Sequence, residues 1–273
     1  MHSSSYSDIL KRIEDALDAA RAVFQRFTPG EVQAEFKAGY DPVTEADRAV
    51  DKVLRQNLLR DGEGWLSEES ADDLARLEQK RVWIVDPLDG TREFVLGLPE
   101  FCVSIGFAEN GKPVAGGIYN PATAETFLGA VDAGVLYNGK PAKASQRVSL
   151  KDTLVLASRS EVKRGEWKQF ENAPFRVQAM GSVAYKLALV SAGLAEIAFT
   201  LTPKHEWDVT AGAALVLAAG GFVCQPDESA LICNQRVPLI PGLLAGGPQL
   251  RGQLLDAIHS CAQPAEPDPA THS

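Results

Sequence analysis

Basic charge is in short supply in this chain. Its 273 residues include 27 Lys and Arg against 36 Asp and Glu, a formal net charge of −9. A protein that follows a nucleic-acid backbone needs a basic stripe, so a nucleic-acid polymer is excluded as partner. Long apolar runs are missing too. None reaches the roughly 18 residues that span a bilayer, and "MHSSSYSDIL" has neither a basic n-region nor an apolar h-region. The expectation is a soluble, cytoplasmic protein with no membrane partner. Cysteine is sparse: Cys102, Cys224, Cys233 and Cys261 form no C-x-x-C pair, and three lie in or beside apolar runs. That predicts buried free thiols in a reducing compartment rather than disulfides. The four histidines, His2, His205, His259 and His272, are mostly near the termini. No Ser/His/Asp or Cys/His nucleophile pattern is visible.

What remains is an ordinary globular composition, 45% hydrophobic and 23% charged. It suffices for a large core, as one big domain or two packed halves. An acidic protein that handles anions needs cations to mediate, which brings metal ions into consideration.

Periodicity organises the chain. "SDILKRIEDALDAARAVFQRF" puts Ile9, Ile13, Leu17, Ala20, Phe24 and Phe27 on one helical stripe, with Ser7 as N-cap. "TEADRAVDKVLRQNLLR" predicts a second helix, with Thr44 as cap and Asp47 three residues on as a capping-box variant. "RVWIVD" predicts a buried strand. Three strands follow, with turns at Asn110-Gly111 and Asn120-Pro121, and "GVLYNGKPA" predicts a further hairpin. From about residue 150, "TLVLAS", "SVAYKLALVSAG", "AEIAFTL" and "DVTAGAALVLAAGG" alternate strand and helix. A last helix covers "PQLRGQLLDAIHS". The expectation is an α+β half over 1–149, an α/β half over 150–262 and a disordered Pro-rich tail over 263–273. No internal repeat is visible.

Acids fall at telling places. Glu68 and Glu69 follow a Gly-rich loop; taken alone they read as solvated loop charges. Asp208 opens a small-residue helix, and alone it reads as an N-cap. Asp86 and Asp89 are harder to account for in that way. A buried strand ending in Asp-Pro-x-Asp-Gly-Thr gathers carboxylates, a carbonyl and amide groups in one turn, the oxygen-rich set that Mg²⁺ takes. "TREFV" can open a short helix whose first amides, at Gly90, Thr91 and Arg92, face a phosphate. The implied chemistry is metal-assisted attack of water on a phosphomonoester. "DPLDGT" is not the D-x-D-G-T signature of haloacid-dehalogenase-type phosphatases, since Leu88 stands where that signature needs its nucleophilic Asp.

"DPVTEAD", "SEES", "WIVDPLDGTREF" and "EWDVTAGAALVLAAGG", in order between residues 41 and 221, resemble the inositol monophosphatase superfamily. This group of Mg²⁺-dependent, lithium-sensitive phosphatases includes 3'(2'),5'-bisphosphate nucleotidases and relatives of fructose-1,6-bisphosphatase. The resemblance implies an α/β layered sandwich of alternating helix and sheet layers, with the site between its halves and two to three Mg²⁺ ions. It also implies a homodimer acting on a small phosphorylated substrate. Carried onto this sequence, Glu68 binds one metal and, with Thr91, activates the attacking water. Asp86 bridges two metals, the Leu88 carbonyl completes one sphere, and Asp89 and Asp208 hold the second metal. Asp47 lies near a third, weaker metal and counts among the catalytic residues. Gly90 and Thr91 amides, with Gly181 and Ser182, face the substrate.

Some positions depart from the pattern. Ser67 replaces the usual Gly before the first Glu. Inositol-specific members carry an acid shortly before the W-D pair, whereas this chain has none from Phe199 to Thr202. "GTREF" and "ASRS" resemble the bisphosphate nucleotidases instead, with Arg159, Lys204 or Lys186 to meet a second phosphate. The sequence therefore leans to 3'-phosphoadenosine 5'-phosphate, with an inositol or other polyol monophosphate as the alternative. An inactive interaction module is disfavoured because every metal-ligand position is intact.

Overall fold

The computed structural model describes residues 6–36 and 42–262; the tail at 263–273 lies outside the described residues. Helix α1 spans Ser7–Phe24 and buries Ile9, Ile13, Leu17, Ala20 and Phe24 along one face. Its cap is Tyr6 rather than Ser7, which is the first helical residue. Tertiary contacts fix the entry: the Tyr6 amide donates to Asp132 and its hydroxyl to Glu109. Phe27 lies beyond the helix but packs on the same core.

Short strands β1 (Glu35–Phe36) and β2 (Pro42–Val43) lead into α2, Glu45–Leu58. Its capping box is present as the sequence predicts: Thr44 Oγ1 accepts from the Ala46 amide, and the Thr44 amide donates to Asp47.

A seven-stranded sheet follows. It comprises β3 (Gly64–Ser67), β4 (Arg81–Asp89), β5 (Cys102–Glu109), β6 (Lys112–Asn120), β7 (Glu125–Ala130), β8 (Gly134–Tyr137) and β9 (Lys140–Ala142), in that spatial order. β3 runs parallel to β4, and the rest are antiparallel. Asn110 and Gly111, with φ 52° and 75°, make the tight turn that fits the twist of β5 and β6. Asn120 Oδ1 accepts from the Ala122 amide to build the next turn. The short helix α3 (Thr91–Val95) bridges β4 and β5. β3 corrects the loop reading before Glu68: Gly64–Ser67 is an edge strand, so Glu68 stands at a strand's carboxyl end.

Beyond it come β10 (Leu154–Ser158), α4 (Arg159–Arg164), β11 (Arg176–Met180), α5 (Val183–Ser191), β12 (Ile197–Thr200), β13 (Lys204–His205), α6 (Glu206–Ala218), β14 (Phe222–Cys224), β15 (Leu239–Ile240), β16 (Leu243–Gly246) and α7 (Arg251–Ala262). A second sheet has the order β11-β10-β12-β16-β14. Its first three strands are parallel, and β16 is antiparallel to both β12 and β14.

Three clusters of apolar side chains set the layers. Helices α1 and α2 pack on one face of the large sheet through Ile13, Leu17, Val50 and Leu54. Helices α5 and α6 fill the space between the sheets. The outer face of the second sheet is covered by α7 with Trp167 and Phe170. The small residues of α6 have their reason here: Ala211, Ala213 and Ala214 are fully buried in that middle layer. The order is helix, sheet, helix, sheet, helix, an α/β layered sandwich. Among the described residues no helix is long and apolar enough to cross a membrane. The four cysteines are free, three of them buried.

Candidate active site

Five chain segments end at one cleft of about 480 Å³. The carboxyl ends of β3 and β4, the start of α3 and the N-terminal ends of α5 and α6 supply its lining residues Glu68, Asp86, Asp89, Thr91, Ser182 and Asp208. Ser182 and Asp208 come from beyond residue 150, the others from before it.

The acidic turn answers to a bulge. β4 pairs Asp86 with Ser104 and Asp89 with Cys102, so three steps on one strand match two on the other. Residues three apart on a regular strand point to opposite faces. The extra residue, at a Pro that cannot donate to the ladder, turns both carboxylates to the same cleft. Asp86 Oδ1 accepts from the Leu88 amide at 2.9 Å, which closes the turn. At Gly90 the backbone is left-handed (φ 98°), and a Cβ there would lie 2.8 Å from the Glu100 carbonyl oxygen. Only glycine fits at that corner.

Asp208 belongs to the first turn of α6 but is not its cap. It stands three residues after His205, whose amide donates to Asp208 Oδ2 at 3.1 Å. The isolated N-cap reading is thereby corrected. Asp89 is held from the second half of the chain: Ser182 Oγ and the Ala184 amide donate to its Oδ2 at 2.8 and 2.6 Å. Ser182 takes φ 48°, and its oxygen also accepts from the Tyr185 amide to cap α5.

Oxygens of Asp86, Asp89 and Asp208 lie within 4.8 Å of one another. None of the three makes an ion pair with Lys or Arg among the described residues. Burial pushes the Asp86 carboxyl well above the usual range, and the charges of Glu68, Asp89 and Asp208 add to this. Asp208 is raised in the same way by burial, Asp89 and Glu68. Asp89 is also raised by burial, in part offset by the amide and hydroxyl that it accepts and by Lys186. Three clustered carboxylates that repel one another, Asp86 buried and Asp89 and Asp208 half-buried, form a site that a divalent cation stabilises. The donors are all oxygens, and the Leu88 carbonyl and Glu68 are in the same cleft wall. That set fits Mg²⁺.

Thr91 and Asp47 form a chain of hydrogen bonds beside this cluster. The single Thr91 hydroxyl proton has two acceptors, Asp47 Oδ1 and the Leu88 carbonyl, each at 2.9 Å. Asp47 Oδ2 accepts from the amide and hydroxyl of Thr44 at 2.7 and 2.6 Å. Its pKa is raised by burial, against those hydrogen bonds.

The cations are differently disposed from what the sequence alone suggests. Arg159 pairs with Glu100 and lies 3.7 Å from Glu93. Lys204 Nζ donates to Glu161 and Thr202, each at 2.8 Å. Lys186 is buried and donates to the Met180 and Gly181 carbonyls, its pKa lowered by that burial. The Gly181 amide donates to Glu100 at 2.7 Å. Glu100 and Glu161 went unremarked in the sequence, and Glu93 entered only within GTREF, because these partners are 43 to 81 residues away. His205 and Trp207 stack at 4.3 Å in the cleft wall.

Known proteins place this geometry. The model of the inositol monophosphatase family matches residues 6–263. An inositol-1-monophosphatase of Mesorhizobium japonicum is 36% identical over 227 residues, 79% of this chain and 84% of that protein. The Thermotoga maritima IMPase structure superposes with a TM-score of 0.80 at 26% identity, covering 93% of this chain and 98% of that one. CysQ of Bacteroides thetaiotaomicron, described as a bacterial member of the inositol monophosphatase family, gives 0.71 at 25% identity over 89% of this chain and 98% of its own. With its acidic turn at the mouth of a layered α/β sandwich, the chain belongs to the inositol monophosphatase family, and so to the phosphoric monoester hydrolases.

Proposed function

We propose that the chain hydrolyses a small phosphate monoester with Mg²⁺, and that its substrate is a polyol monophosphate. The observation that carries the catalytic reading is the triad Asp86, Asp89 and Asp208, the first buried and the other two half-buried, mutually repelling and with no ion pair to Lys or Arg among the described residues. Glu68, Asp86, Asp89, Asp208 and the Leu88 carbonyl would hold the ions. When bound, Mg²⁺ neutralises phosphoryl oxygens and the departing oxygen, and acidifies water. The chain's own residues do the rest. Thr91 donates its hydroxyl hydrogen bond to Asp47 Oδ1, which leaves the hydroxyl's lone pairs toward the cleft. Thr91 then orients the attacking water together with Glu68, whose carboxylate accepts the water's proton. The amides at Gly90 and Thr91 open α3 beside the phosphate position.

The substrate reading moves away from the sequence's lean. Two of the three cations named for a second phosphate are committed to carboxylates, Arg159 to Glu100 and Lys204 to Glu161, and Lys186 is turned to the Met180 and Gly181 carbonyls. A second dianion would have to displace them. The names of the curated relatives, inositol monophosphatases, agree with a polyol. One observation favours 3'-phosphoadenosine 5'-phosphate instead: the stacked His205 and Trp207 offer an aromatic platform on which a base can lie.

Phosphate release from inositol 1-phosphate and 3'-phosphoadenosine 5'-phosphate, measured side by side with Mg²⁺ and with or without lithium, tests this. A polyol preference inhibited by lithium is expected. Preference for the nucleotide would assign the substrate to the platform, and no release from either would sink the catalytic reading. A homodimer, expected from the resemblance, is checked by sedimentation of the same sample.

A further inference from the structure

One carboxylate in the cleft is left over from the metal chemistry. Glu93 on α3 lines the same cleft as Asp89 and is 8% exposed. Among the described residues its side chain accepts no hydrogen bond from another side chain. Its nearest basic atom, Arg159 Nε, is 3.7 Å away, beyond hydrogen-bond reach. That Nε is itself a buried donor without an acceptor. Arg159 is held by Glu100 instead, and Glu100 also takes the Gly181 amide. The Glu93 carboxyl accepts from its own backbone amide and keeps a long ion pair with Arg159, so the group left unsatisfied is the Arg159 Nε–H. Buried donors are rarely left so.

The position of Glu93 is enforced by its surroundings. A Cβ on Gly181 would lie 2.4 Å from Glu93 Cδ, so the carboxyl rests directly on the Gly181 backbone. Gly181 is therefore the floor under Glu93, which gives that glycine a role other than touching substrate. Burial raises the Glu93 pKa and the Asp89 charge adds to it, against its own amide, Lys186 and Arg159. Carboxylates in that wall attract hydrogen-bond donors.

We propose that Glu93 is a specificity-determining residue that accepts a hydrogen bond from a hydroxyl of the substrate's leaving group, with Arg159, fixed by Glu100, completing the subsite. A hydroxyl is the group that suits both neighbours, since it donates to a carboxylate and accepts from an N–H. The acid that is absent from Phe199 to Thr202 is in this way supplied from α3. The inference rests on the polyol reading of the site and names the residue that performs it.

The test uses full-length protein at saturating Mg²⁺ and compares kcat/KM for inositol 1-phosphate with that for phenyl phosphate, which has no leaving-group hydroxyl. Glu93→Gln keeps the size that Gly181 accommodates, and Glu93→Asp keeps the charge but withdraws it by one methylene. Both are expected to lower the inositol-to-phenyl ratio about 10-fold or more, mainly through KM, as loss of a charged hydrogen bond does. If Glu93 acts only through its charge on Asp89, Glu93→Asp keeps the wild-type ratio, and the proposal fails. An unchanged ratio in both variants, with wild-type preference for inositol 1-phosphate intact, overturns this inference and leaves the polyol reading standing. A wild type that cleaves phenyl phosphate but not the inositol ester overturns both.

Discussion

Glu161 and Asp86 are equally buried, each 2% exposed, and have opposite fates. Burial alone would raise the Glu161 carboxyl, but hydrogen bonds from Lys204, Thr200 and Thr202 outweigh it and hold the pKa below the usual range. Its Oε1 accepts from all three, at 2.6 to 2.8 Å, and its Oε2 from Trp167 Nε1 at 3.1 Å. Glu63 is a second case, lowered by Arg12 and Trp83 against its own burial. Asp86 accepts one amide, faces three other acids and is raised well above its usual range. A buried acid with a complete set of donors is part of the scaffold. A group of clustered acids without such a set is one that a cation would stabilise. The distinction is in the partners and not in the depth.

The strongest way to break that comparison is Asp89→Asn. If the cluster holds Mg²⁺, the variant loses turnover by at least ~100-fold, on the scale of the several kcal/mol that a metal contributes to transition-state charge. The metal-free protein should melt no lower than wild type, since the change relieves repulsion while Ser182 and Ala184 still have an oxygen to bond. Steady-state phosphate release and thermal melting with chelator measure the two. Retained turnover would remove Asp89 from the metal set. A sharp fall in metal-free melting would make Asp89 a scaffold acid like Glu161.

Glu161→Ala is the matching change on the other side. Removing one partner of a buried pair leaves Lys204, whose side chain is 15% exposed, without its counter-charge. The expected loss is about 3–5 kcal/mol of unfolding free energy, read from urea midpoints. Glu161→Gln, which keeps an acceptor oxygen for the threonines, should lose less. A stability change within error in Glu161→Ala would mean that Lys204 finds water or Thr202 in place of the acid, and that the contrast is overstated.

These acids also mark how far the sequence could be followed. The clustering of acids at the cleft was legible because Asp86, Leu88, Asp89, Gly90 and Thr91 fall within six residues, and a turn that dense in acid has few structural uses. The capping box at Thr44 and the helical stripe of α1 were legible for the same reason, being local. Glu161 was not: it meets Thr200 and Lys204 about forty residues on, across two strands. Edge strand β3 hid because a four-residue strand beside glycine carries no alternation. Strands β14 and β16 hid for the same lack of length. Ser7 was displaced as cap by Asp132 and Glu109, contacts more than a hundred residues distant. Periodicity and turn chemistry report local structure; partnership between distant charges has no signature in one chain.

Acidity sharpens the comparison by the sign of its effect. Asp86, Asp89 and Asp208 have folded pKa values raised above their unfolded ones. Their favourable contribution is complete below the unfolded value and is lost as pH rises through the folded ones. Glu161 and Glu63 are lowered, so theirs is present above the ordinary carboxylate range and lost only as pH falls below it. Between that range and neutrality the scaffold acids stay ionised and contribute no slope. Metal-free protein should therefore gain stability as the pH is lowered from 8 toward 5.5, and the site acids supply that gain. Mg²⁺ held by the deprotonated cluster would compete with protons, so its stabilisation is expected to be larger at pH 8 than at pH 5.5. At a hundredfold excess over Kd that amounts to about 2.7 kcal/mol, a few degrees of melting temperature. The difference between melting with Mg²⁺ and with chelator isolates the cluster. Equal stabilisation at the two pH values would mean that Asp86 and its neighbours are already ionised without metal. The repulsion attributed to them would then be carried by water instead.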